Sequence, residues 1–113
     1  MSTVEELRAT FEMLLEESVA PDLTLDPGVL IERGGQMLEA RQPHIDRLRA
    51  LLDDEPELLV GQTELRSIRD QILRRDEEWD GALRWARGEL AHRRQASQRA
   101  RQARRAYGVA AQP

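Results

Sequence analysis

The feature that most constrains this chain is the proline-free stretch from Thr63 to Tyr107. Within it Leu65, Ile68, Ile72, Trp79, Leu83, Ala86 and Leu90 recur at the steps that place side chains on one helical face. Thr63 is suited to an N-cap, the weak points are Gly81 and Gly88, and the first stop signal is Gly108. At ~1.5 Å per residue such a helix spans about 65 Å. The preceding segments are too short to cover it all. Its far end must project, fold back after a break, or pack on another chain.

Two shorter helical regions come first. Ser2 and Glu5 are spaced as a capping box, and Val4, Leu7, Phe11 and Leu14 form an apolar stripe behind them. Pro21 should end that helix near Val19. The segment "PDLTLDPG" reads as a loop, with Asp26-Pro27 as N-cap and first position of the next helix. The second region contains Gly34-Gly35 and Pro43, yet Leu38, Ile45, Leu48 and Leu52 keep heptad spacing across the proline. One helix bent at Pro43 is favoured over two short ones. "DDEPELLVGQ" then breaks the chain. The expected fold is all-α: a small antiparallel bundle of three to four helices with a long C-terminal helix.

With 113 residues, one domain is expected. We read residues 1–94 as the bundle body and 95–113 as a basic Ala/Arg tail helix with a disordered end. Cysteine is absent, which removes disulfide and thiolate chemistry. Glu5, Glu6, Glu12, Glu16 and Glu17 are the opposite of a signal peptide's start. No stretch approaches the ~18 apolar residues of a membrane span. A soluble intracellular chain, with no membrane partner, is the expectation. The charge is uneven. Residues 1–91 carry a net −10, residues 92–113 a net +6, and the whole −4. Such asymmetry marks interaction tails.

Catalytic constellations are not found. His44 and His92 lie on different elements, without metal-type spacing to a carboxylate. Asp53-Asp54-Glu55 and Asp76-Glu77-Glu78 read as solvated surface, since successive helical residues point in different directions. Gly34-Gly35 lacks the lysine and strand of a phosphate loop. The chain is therefore read as a non-enzyme without metal or cofactor.

Trp79 falls on the main stripe and is expected in the core. Trp85 lies about 120° from it around the helix. It packs beneath the tail or against a neighbouring helix, or anchors a partner. In the tail Ala96, Ala100, Ala103 and Tyr107 form a stripe of small area, on the Trp85 side. The arginine-rich tail has three readings: a solvated face, a segment docking reversibly on an acidic surface, or a nucleic-acid contact. Arg93, Arg94, Arg99, Arg101, Arg104 and Arg105 spread around the helix, and the acidic body repels phosphate, so nucleic acid is disfavoured.

The C-terminal half, "ELRSIRDQILRRDEEWDGALRWARGELAHRR…RRAYG", resembles flagellar export chaperones of the FliT type. The residues that carry the resemblance are Leu65, Arg66, Ile72 and Leu73, then the terminal Ala106, Tyr107 and Gly108. It implies a chaperone of the bacterial cytosol that binds terminal helices of a filament cap or hook-associated protein. Such a chaperone delivers its client to the export ATPase and gate. It also implies a C-terminal helix able to fold over the binding groove. On that basis Leu73, Trp85 and Leu90 are expected near the groove, and Ala100, Ala103 and Tyr107 on the masking face. The chain is expected as a monomer or weak homodimer. The competing readings are a coiled-coil structural protein and a nucleic-acid-binding regulator using the arginine tail.

Overall fold

The computed structural model describes the backbone of residues 2–111 and the side chains of residues 2–108. The expected disordered end beyond 111 lies outside the described residues. Three α-helices, α1 (Thr3–Glu17), α2 (Pro27–Asp54) and α3 (Thr63–Ala111), are joined by a loop and by a short 3₁₀ turn, Pro56–Leu59. No strand occurs among the described residues. The fold is all-α, as the periodicity predicts.

Local chemistry explains most of the boundaries, although Gln62, whose carbonyl accepts from Arg66 N–H at 3.1 Å, and not Thr63, holds the cap position of α3. The capping box is formed: Glu5 N–H donates to Ser2 Oγ at 3.2 Å, and Ser2 N–H donates to Glu5 Oε2 at 3.3 Å. α1 ends two residues before Val19. The Ser18 hydroxyl donates to the Leu14 carbonyl at 2.6 Å, and its N–H also turns back to Leu14 and Leu15. Asp26 caps α2 by accepting from Gly28 N–H at 3.3 Å, with Pro27 at the first helical position. α2 runs through Pro43 as one helix. Gly61, at φ +77°, makes the turn into α3 that a side chain would strain. Gly108 does not stop α3, which continues to Ala111.

The helices pack as a staircase. Arg8 pairs with Glu64 at 3.0 Å, and Trp79 Nε1–H donates to the Val19 carbonyl at 2.7 Å, so α1 runs parallel to α3. Arg47 pairs with Glu6, Arg41 with Asp76 and Arg93 with Asp26, so α2 runs antiparallel to both. With 15, 28 and 49 residues the helices are about 22, 42 and 73 Å long. The molecule measures 83 × 20 × 19 Å, with a radius of gyration of 22.5 Å. A compact chain of this length has about 13 Å. α3 projects beyond its neighbours.

Two apolar clusters follow from the unequal lengths. In the lower one all three helices meet: Leu7, Phe11 and Leu14 pack with Leu51, Leu65 and Ile72. In the upper one α2 and α3 stand without α1: Leu30 and Met37 pack with Trp79, Ala82 and Ala86. Leu38 is not in either cluster. It is 52 % exposed, because the inward face of α2 is Leu30, Gly34, Met37 and Arg41. Arg41 is buried between the clusters and reaches Asp76 with both terminal nitrogens, at 2.5 and 3.4 Å. Asp76 is thus no simple surface acid, whereas Glu77 and Glu78 are exposed as expected.

Gly34 lets α2 and α3 approach. A Cβ there would sit 3.2 Å from both Trp79 Cζ3 and Leu83 Cδ2, while one at Gly35 would meet nothing within 4 Å. Gly35→Ala is expected to raise stability by about 1 kcal/mol through helix propensity. Gly34→Ala is expected to gain less, and Gly34→Leu to destabilise by at least about 2 kcal/mol through overpacking. Paired thermal melts check this contrast; an equal gain from both alanines would show that the approach is not tight.

Candidate functional site

On α3 the residues facing α1 do not stop where α1 stops. Glu78, Ala82, Trp85, Glu89, His92, Ala96, Ala100, Ala103 and Tyr107 continue that side at steps of three and four. α1 ends at Glu17, and the loop 18–26 crosses over the next part. Trp79 holds this loop through its bond to Val19, and Asp22 shapes it by accepting from Thr24 N–H at 3.0 Å and Thr24 Oγ1–H at 2.6 Å. That acceptance holds the exposed Asp22 carboxyl below its ordinary pKa. The upper layer therefore lacks a third helix.

The vacancy is an open groove of about 570 Å³. The loop supplies Pro21 and Leu23; α3 supplies Glu77, Glu78, Gly81, Ala82 and Trp85. Trp85 is 46 % exposed and Leu23 63 % exposed. Nothing lies within 4 Å of a Cβ built on Gly81, so the groove floor is open there. The groove is an apolar strip with two glutamates at its edge. It can accept an apolar helix face with basic flanks.

The site residues expected from sequence are brought together only in part. Trp85 lines the groove. Leu73 is exposed on another side of α3, about 120° from Trp85 around the axis. Leu90 is half-buried on the stripe that faces α2. Neither lines the groove. Ala100, Ala103 and Tyr107 are exposed on the projecting part of α3, away from the groove of their own chain. Every described side chain from Ala91 onward is exposed. Among the described residues the last tie between tail and body is Arg93, whose Nη1–H donates to Asp26 at 2.9 Å. This bond holds the Asp26 carboxyl below its ordinary pKa.

Sequence reasoning missed Pro21 and Leu23 as walls, since a loop carries no periodicity. Among the described residues no group of three or more His, Asp or Glu gathers where it could hold a metal ion. No described helix is long and apolar enough to cross a membrane. Compared with protein-family models, curated proteins and solved structures, the chain finds no match.

Proposed function

We propose that this chain is a helix-binding chaperone whose groove completes its upper layer with a helix from a client protein. The observation that carries the reading is the vacant third-helix track beyond Glu17, walled by Leu23 and Trp85. A half-exposed tryptophan over small residues is the kind of anchor that dominates protein interfaces. The resemblance of "ELRSIRDQIL" and "RRAYG" to the FliT type extends the proposal. The clients are terminal helices of a filament cap or hook-associated protein, bound in the cytosol for flagellar export.

Gly81→Leu tests it. Leucine favours the helix and meets no atom of its own chain at Cβ, so the melting temperature is expected to hold or rise. The side chain fills the groove, and affinity is expected to fall by at least about 10-fold. The measurement is Trp fluorescence during titration with the C-terminal segment of a filament cap protein. Buried Trp79 reports the body and exposed Trp85 the groove. Equal binding by wild type and Gly81→Leu, or none by wild type, would remove the proposal.

A further inference from the structure

The groove and the unaccompanied tail lie on the same side of the same helix, and their chemistry is complementary. We infer that the tail of a second copy occupies the groove, giving a reciprocal antiparallel dimer through α3. The inference does not depend on a client. It concerns a second copy of this chain and is read by mass alone.

The self-complementarity is in the register. If Trp85 of one copy lies opposite Ala96 of the other, then Ala82 meets Ala100 and Glu78 meets Ala103 along the same stripe. Trp85 and Glu78 each face an alanine, Ala82 faces another, and the alanines allow the close approach that a tryptophan wall needs. The overlap of residues 78–103 is about 39 Å of helix on each copy. It places the two bodies at opposite ends, each receiving the other's tail. The interface is isologous, so both grooves are filled in one closed particle.

Charge selects the occupant. Residues 1–91 carry −10 and residues 92–113 carry +6. Glu77 and Glu78 edge the groove. Arg99 and Arg104 flank the tail stripe, one on each side of Ala96, Ala100 and Ala103. The chain's own tail cannot serve. α3 is unbroken from Thr63 to Ala111, so reaching its own groove would require breaking the helix after Trp85. In a second copy no helix has to break. Most helical stability comes from tertiary packing of one face, and pairing supplies the packing that the exposed projecting segment lacks.

Sedimentation equilibrium of the full chain from about 5 to 200 µM tests the inference. The mass is expected to rise from 13.0 kDa toward twice that value, and to fall back as added salt screens the charges. Two double variants change exposed charges, Arg99→Glu with Arg104→Glu and Glu77→Arg with Glu78→Arg, the second also removing the exposed Arg75–Glu78 pair at 2.9 Å. Each alone is expected to dimerise at least about 10-fold more weakly. Mixed together they are expected to dimerise again, because the acidic tail then meets a basic groove and the basic tail an acidic one. A wild-type mass fixed at 13.0 kDa overturns the inference. So does a dimer that both variants leave intact, or a mixture that stays monomeric. Circular dichroism confirms that each variant keeps its helices.

Discussion

Trp79→Ala is expected to cost about 4 kcal/mol, a large share of the stability of a domain this size. Trp79 is 4 % exposed and does three jobs at once. Its ring fills the space that Gly34 leaves between α2 and α3. It is the largest side chain of the upper cluster, where Leu30, Met37, Ala82 and Ala86 offer little bulk to close a void. Its indole N–H holds the Val19 carbonyl at 2.7 Å and so fixes the loop that carries Pro21 and Leu23. Trp79→Phe keeps part of the ring and loses the bond, and is expected to cost about 2 kcal/mol. Because the groove wall hangs on that bond, the phenylalanine variant should also weaken groove binding while Trp85 remains as the sole fluorescent reporter. Urea unfolding with a constant slope reads the stability change. A loss below about 1 kcal/mol for Trp79→Ala would mean that α2 and α3 collapse onto each other without it.

The elements were legible because their signals are local. Ser2 and Glu5, Asp26-Pro27, and the stripe from Leu65 to Leu90 each involve residues close in sequence, and each appears where expected. The inward face of α2 was not legible. Its residues Gly34 and Arg41 are not apolar, so a search for apolar spacing passes over them and selects Leu38 instead. The site was half legible. Trp85 stands off the main stripe, and that alone marks it as facing something other than α2. The vacancy it overlooks follows from the end of α1 at Glu17 and from the side of α3 that α1 chooses. The first is written in Pro21 and Ser18. The second depends on contacts between distant residues, such as Arg8 with Glu64 and Trp79 with Val19, which no local pattern encodes.

Removing the two partners of the Arg41–Asp76 pair one at a time should give opposite results. Asp76→Ala is expected to cost about 3 kcal/mol, whereas Arg41→Met is expected to change stability by less than about 1 kcal/mol or to raise it. Arg41 is 5 % exposed, its Nε has no partner, and its terminal nitrogens depend on one carboxylate. Without Asp76 a guanidinium stays between two apolar clusters, away from water and without a counter-charge. The Asp76 side chain is 41 % exposed, so it loses little when left alone, because solvent takes over its oxygens. Methionine at 41 fills a similar volume, carries no charge to desolvate and joins Met37 and Ile45 on the same face. The comparison separates two roles for the pair. If it only stabilises, both variants should lose stability by similar amounts. If its net contribution is small and its use is to set the register of α2 against α3, Arg41→Met should stay stable while its amide exchange protection falls at the boundary between the clusters. Denaturant midpoints for both variants, with hydrogen exchange on Arg41→Met, decide between the two. A neutral Asp76→Ala would show that the arginine escapes to solvent when unpaired.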